Sequence, residues 1–271
     1  MRTVLTIAGS DSCGGAGIQA DLKTFSALGA YGMSVITAIT AQNTMGVFDV
    51  RELDVDIIKK QIDYLYEDIR IDAVKVGMVS SIEIIDVIGE CLKKNNAVNI
   101  VVDPVMVSKS GYHLLREEAK DELFKVLFPL AEVVTPNLFE AELITGAKIE
   151  NLEQMKEAAV KIHNLGVRKV IVKGGHLTGD AVDVLYDGES FEYLTGTRIE
   201  TKNTHGTGCT FSSAIAALLA RGYTFQKAAR LAKEYINGAI EHSLEIGHGV
   251  GPTNHFWNLF KKDGCINEPS E

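Results

Sequence analysis

The 271-residue chain suits one α/β domain or a small pair, and its hydrophobic share of 46% is that of an ordinary globular core. A formal net charge of −9 argues against a general nucleic-acid binder, which needs a basic face for phosphates, and no apolar run is long enough to span a membrane. The four cysteines (Cys13, Cys91, Cys209, Cys265) include no Cys-x-x-Cys pair and suit a reducing, cytoplasmic setting.

In chain order, short β-branched runs alternate with amphipathic ones. Val4–Ala8 reads as a buried first strand; the apolar start is too short for a signal peptide. A helix follows at Ile18–Leu28 and a strand at Ser34–Thr40. The spacing of Ile58, Ile62 and Leu65 predicts a helix over Val55–Asp68. The alternation continues through Ala73–Val76, Ile82–Lys94, Ile100–Asp103 and a helix Glu117–Leu127 that ends near Pro129. Val133–Thr135, Glu153–Leu165 and Val170–Lys173 extend it. Val182–Tyr186 and Ser190–Leu194 flank Asp187-Gly188 and read as an antiparallel hairpin at a sheet edge. The last third is helical, over Thr210–Ala220 and Phe225–Leu244, with Thr224 as N-cap; the tail after Gly247 is irregular. Nearly all-apolar strands between helices predict a three-layer α/β/α sandwich on a mostly parallel sheet, as one domain over 1–271.

Ligands of such sheets gather at the carboxyl ends of the strands. Those ends read Gly9-Ser10-Asp11, Gln42-Asn43, Gly77-Met78, Asp103-Pro104, Thr135-Pro136-Asn137 and Lys173-Gly174-Gly175. The sharpest motif is Asn203-Thr204-His205-Gly206-Thr207-Gly208-Cys209-Thr210, running into an apolar helix. Glycines there let backbone N–H groups turn to an anion, and the helix dipole adds to them, which suits a transferring phosphoryl group. The same residues also fit a plain glycine turn capping a helix. They are not a Walker loop, because no Gly-Lys-Ser/Thr follows, and Gly9-Ser10-Asp11 lacks the Gly-x-Gly-x-x-Gly turn of a dinucleotide fold.

Gly206-Thr207-Gly208-Cys209 resembles the Gly-Ala/Thr-Gly-Asp signature of ribokinase-like kinases, with Cys in place of the usual Asp. That replacement is typical of hydroxymethylpyrimidine kinases and some bacterial pyridoxal kinases. The resemblance extends to Thr6–Asp11, Gly14–Asp21, Ala41–Thr44, Lys75–Met78, Asp103–Met106, Thr135–Glu140, Lys173–His176 and Gly251–His255. Cys13 departs from the small Gly, Ser or Pro usual there. The resemblance implies a thiamine-pathway kinase that phosphorylates hydroxymethylpyrimidine and then its monophosphate, with ATP and Mg²⁺ as cofactors and a monovalent-cation requirement left open. The nearest rival is a pyridoxal or pyridoxine kinase. A non-catalytic nucleotide-binding protein is a rival from another class.

On this reading Gly206, Thr207 and Gly208 form the anion hole. Cys209 is the general base, its thiol pKa lowered by the helix N-terminus, against the alternative of a structural cysteine. Gln42 reads the aminopyrimidine edge with a paired donor and acceptor, while Gly9, Asp21, Met78 and Val105 line the substrate pocket with Met106 as further wall. Asn137, Lys173 and Lys233 approach the nucleotide, and Glu140 with Asp103 holds Mg²⁺. The bland alternatives are that Asn137 caps a helix, Glu140 is a solvated first-turn acid and Asp21 a solvated helix acid. His205 reads as a loop residue, and His205, His248 and His255 make no zinc pattern. Ser108–His113 is expected to form a flap. The edge hairpin suggests a homodimer.

Overall fold

The computed structural model describes residues 1–107, 111–175, 181–196 and 198–259. Nine strands form one sheet: β1 Arg2–Ser10, β2 Ala30–Asn43, β3 Gly46–Glu52, β4 Ala73–Val76, β5 Ile100–Val102, β6 Val133–Val134, β7 Lys169–Val172, β8 Ala181–Tyr186 and β9 Phe191–Gly196. Their order is β3-β2-β1-β4-β5-β6-β7-β8-β9. The six strands from β2 to β7 pair in parallel. Both edges are antiparallel, with β8 and β9 at one end as expected and β3 folded back on β2 at the other. β3 was not expected: Gly46–Glu52 is mostly exposed and mixes charge with apolar residues, so no clean alternation marks it.

Side chains alternate across the sheet. Leu5, Val102, Val134 and Val170 pack on one face, against α2 (Val55–Asp68), α3 (Ile82–Lys94) and α6 (Leu152–His163). Val4, Val101, Val133 and Ile171 pack on the other, against α7 (Thr207–Ala220) and α8 (Phe225–Glu241), with Phe25 of α1 (Gly17–Ala27) beside them. Two cores thus sandwich one sheet, and this explains why the central strands carry no polar face.

The helices start on residues legible in the sequence. Asn151 accepts from Gln154 N at 3.0 Å, and Thr224 accepts from Lys227 N. The stretch Glu117–Leu127 is less regular than expected. Single 3₁₀, α and π turns, the α turn being α4 (Lys120–Glu122), run to Leu130. Pro129 offers no N–H, and its ring crowds the carbonyl four residues back, so the α pattern cannot persist there.

The order of strands places the site. The chain leaves β1 toward β2 and β3, then returns to build β4 to β9 on the other side, so the direction of winding reverses between β1 and β4. A crevice opens at such a reversal, beyond the carboxyl ends of the two strands. Here those ends are Gly9-Ser10-Asp11 and Gly77-Met78.

Candidate active site

Two adjoining cavities lie along this rim. The smaller, about 170 Å³, is walled by Gly9, Asp11, Gln42, Lys75, Met78, Val105, Val107, Leu114, His205 and Cys209, and its floor reaches Asp103, Glu140 and Gly206. The larger, about 390 Å³, is walled by Asp183, Arg198, Thr207, Phe211, Lys233 and Asn237. Asn137, Lys173 and Gly208 belong to both. A group bound in one cavity therefore meets a group bound in the other at the start of α7.

That start is shaped by Gly206, which caps α7 at φ 80°. A side chain there would be strained, and its Cβ would drive into the Gly15 carbonyl. The loop after β1 and the loop before α7 are thus packed backbone to backbone. Of the first-turn N–H groups of α7, Thr207 N turns back to Thr204 O at 3.3 Å, whereas Gly208, which lines both cavities, has no carbonyl within the helix to bond. The terminal Gly251–His255 stretch braces the same loop. His205 N donates to Gly251 O at 3.0 Å, Thr253 N donates to His205 O at 3.3 Å, and His255 Nε2 meets Thr210 Oγ1 at 3.0 Å. Burial lowers the His255 pKa to about 4, so the ring is neutral at physiological pH.

Asn137 is the N-cap of α5 (Leu138–Thr145), in a complete capping box. Its side chain accepts from Glu140 N at 2.9 Å, and Glu140 accepts from Asn137 N at 2.8 Å. Glu140 is nevertheless not a solvated acid: it is 4% exposed and faces the smaller cavity. Burial pushes its carboxyl up to about 7, Lys173 opposing and Asp103 adding to the rise. Lys173 Nζ lies 3.1 Å from Asp103 Oδ1. Burial works against the ammonium, but Asp103 and Glu140 outweigh it and hold the Lys173 pKa above its ordinary value. Asp103 also accepts from Thr135 at 3.1 Å. Lys233 is ion-paired to Asp183 at 2.7 Å, and Asp183 also accepts from Gly174 N, so the cation is tied to the end of β7.

Two expectations are corrected. The Cys209 thiol is pushed up to about 11, not lowered. Burial contributes most and Lys75 opposes it; the carboxylates of Asp21 and Asp103 add to the rise, and the Gly17 N–H works against it. Asp21 does not line the cavity and is not a solvated helix acid. It is fully buried, accepting from Thr6 at 2.6 Å, Ser213 at 2.6 Å and Lys75 at 2.9 Å. The group that reaches the cavity from this network is Lys75.

Sequence reasoning passed over the chemical roles of Lys75, Asp11 and His205. Lys75 had a signal: a lysine inside the apolar strand Ala73–Val76, where a charge persists only with a partner. Asp11 and His205 lie 2.8 Å apart across 194 residues, which no spacing reveals. Of the expected flap, residues 108–110 lie outside the described residues; its base is closed by a bridge between Val107 and His113. His176 and Cys265 also lie outside the described residues.

Fold and sheet order are those of a ribokinase-like phosphotransferase. The structure of a Bacillus subtilis pyridoxal kinase in an ADP complex superposes with a TM-score of 0.89 at 45% identity, covering 94% of this chain and 98% of that one. The phosphomethylpyrimidine kinase family matches residues 11–254, and this chain belongs to that family. It is 47% identical to the hydroxymethylpyrimidine/phosphomethylpyrimidine kinase of Bacillus subtilis strain 168, over 96% of each chain. It is 52% identical to the Geobacter sulfurreducens thiamine biosynthesis bifunctional protein ThiED, over 93% of this chain but only 52% of that longer protein. The chain thus spans about half of the bifunctional protein and nearly all of the single kinase. Among the described residues no helix is long and apolar enough to cross a membrane.

Proposed function

We propose that the chain moves the γ-phosphoryl group of ATP onto the hydroxymethyl oxygen of 4-amino-5-hydroxymethyl-2-methylpyrimidine, and then a second one onto the resulting monophosphate, for thiamine biosynthesis. The observation that carries this reading is the meeting of two cavities at Gly208, one sized for a single ring and one for a nucleotide. Kinship with the phosphomethylpyrimidine kinases supports the acceptor. In the first step the acceptor oxygen bonds to the γ-phosphorus as the bond to the β-phosphate bridging oxygen breaks, and ADP leaves. The N–H groups of Gly206–Gly208 and the Lys173 ammonium face the charge on the moving group. Gln42 and Met78 hold the pyrimidine, and Cys209, as its thiolate, accepts the hydroxymethyl proton. With a thiol near 11, only a small thiolate fraction exists at neutral pH, so this base works well below its ceiling.

The donor set fits Mg²⁺: two carboxylates, Asp103 and Glu140, stand beside the junction, and the raised Glu140 pKa marks a place where an added cation relieves burial and repulsion. When bound, the ion would neutralise phosphate charge. Asn137, Lys173 and Lys233 are assigned to the nucleotide. For Lys233 this requires a phosphate to compete with Asp183.

Pyridoxal, which also carries a hydroxymethyl on a six-membered ring, is the second reading, supported by the likeness to the Bacillus subtilis pyridoxal kinase. A two-step assay that reads product masses for both alcohols decides between them; no diphosphate from the pyrimidine overturns the main reading. We read 1–271 as one kinase domain, since one sheet runs through the described residues. The cysteines Cys13, Cys91 and Cys209 are all free, which suits the cytoplasm. A homodimer is assigned to an exposed sheet edge, the β8–β9 hairpin or the β2–β3 pair, since β9 and β3 both end the sheet. β3 leaves one backbone edge unpaired, and Ile39, Met45 and Phe48 are exposed there.

A further inference from the structure

We propose that Asp11, Cys13 and His205 form a binding site for a thiophilic divalent cation, Zn²⁺ foremost, at the mouth of the smaller cavity, and that the bound ion inhibits the enzyme. A carboxylate oxygen, a thiol sulfur and an imidazole nitrogen from these residues lie within 4.8 Å of one another. Asp11 Oδ2 is 2.8 Å from His205 Nε2 and 3.5 Å from Cys13 Sγ. Tetrahedral zinc, with bonds of about 2.0–2.3 Å, sets its ligand atoms about 3.3–3.7 Å apart. The oxygen–sulfur spacing already matches. The oxygen–nitrogen pair opens by a few tenths of an ångström once the ion replaces their shared proton. The sulfur closes by rotation of Cys13, which is partly exposed and stands at the tip of a turn.

The surroundings hold two ligands in place and leave the third free to adjust. Asp11 is fixed by the N–H groups of Cys13 at 2.9 Å, Gly15 at 3.0 Å and Ala16 at 2.7 Å, partners that orient a metal-binding carboxylate. His205 is held through its backbone by Gly251 and Thr253. Sulfur and imidazole nitrogen select zinc-like ions over Mg²⁺, which prefers oxygen, so this site is chemically distinct from Asp103 and Glu140. Three protein ligands leave one position open. It faces the cavity that Asp11 and His205 help to wall, next to the Gln42 amide, 3.3 Å from His205 Nε2. An ion there ties the loop after β1 to the loop before α7 and occupies the side chain assigned to read the acceptor. The inhibition rests on the kinase reading above; the binding does not.

Co²⁺ serves as a spectroscopic probe for zinc. Titrating it into the full ligand-free chain gives a sulfur-to-cobalt charge-transfer band that saturates at one ion per chain, vanishes in Cys13→Ser and persists in Cys209→Ala. Zn²⁺ inhibits turnover in competition with the alcohol acceptor. Cys13→Ser, whose side chain lies outside the catalytic groups, keeps the parent's turnover but needs on the order of 100-fold more zinc for inhibition, since loss of even a supporting partner costs 10–100-fold. A parent chain without the band, or a band that survives in Cys13→Ser or depends on Cys209, overturns the site. The band without inhibition leaves the site standing and overturns only the occlusion. If the acceptor proves not to be a pyrimidine, the cobalt spectrum is unaffected.

Discussion

Cys209 shows how far a residue's chemistry depends on its neighbours. A helix N-terminus alone lowers a thiol pKa, but burial and two nearby carboxylates carry this one up to about 11. Cys209→Ala should lower the first phosphorylation by roughly 10²-fold, at the lower end of what a positioned base provides. The second should fall much less when started from supplied monophosphate, because that acceptor is already ionised. The parent's first-step rate should rise with pH across the neutral range, and Cys209→Asp should flatten it; rapid-quench measurements of each step read both effects, and equal losses in both steps would remove the base assignment. At the other end of the cavity, Gln42→Leu leaves the ligand's polar edge unpaired, costing about 1–3 kcal/mol. Calorimetry should show acceptor binding weakened by tenfold or more; unchanged affinity removes the contact. Glu140 holds its proton up to about 7 in the folded chain against an ordinary 4.5. The folded state therefore binds more protons than the unfolded chain over that range, and stability falls as pH rises through it. Ligand-free Glu140→Gln should resist urea better than the parent at pH 8, with the gap closing toward pH 5. Its Mg²⁺ requirement should rise, and a parent-like Mg²⁺ titration would reduce Glu140 to a helix cap.

At the scale of elements, the start of α7 is set by contact between two loops. Gly206→Ala places a Cβ against the Gly15 carbonyl at a φ of 80°, a left-handed conformation that costs about 1–2 kcal/mol before any clash. We expect a lower thermal midpoint and a large loss of turnover with both acceptors, because the N–H groups move off the phosphoryl position. Gly222→Ala is the control: its φ is 88°, and no atom lies near the added Cβ. It should show a comparable backbone cost with turnover retained; turnover loss of the same size in both variants would mean that Gly206 acts through stability alone.

Across the molecule, one buried network ties the layers together. Thr6 of β1, Asp21 of α1, Lys75 of β4 and Ser213 of α7 meet beneath the cavity. The lysine and aspartate are both fully buried. Lys75→Met strands a buried carboxylate and should cost about 3–5 kcal/mol in urea unfolding, whereas Lys75→Met with Asp21→Leu should recover most of that loss. Additive losses in the double variant would show that the two residues are not coupled.

The amino-acid pattern by itself determined the layers of this protein. All-apolar strands between amphipathic helices admit few arrangements other than a covered parallel sheet, and Asp187-Gly188 marked the β8–β9 hairpin. Thr224, Asn137 and the Gly206–Cys209 run were also legible, because caps and glycine turns act through residues adjacent in the chain. The β3 edge was hidden by its exposure, and the irregular turns before Pro129 by Ala119, Leu123 and Leu127, whose spacing of four is that of an ordinary helix. Only the tertiary structure decided which charges meet. It buried Asp21 and raised Lys75 to the cavity wall, decided between a site-facing and a solvated Glu140 by burying it, and drove the Cys209 thiol up instead of down. It also brought Asp11 to His205. The reason is physical: propensity and periodicity are local, whereas desolvation and Coulomb energy depend on what the fold packs around a group from distant parts of the chain.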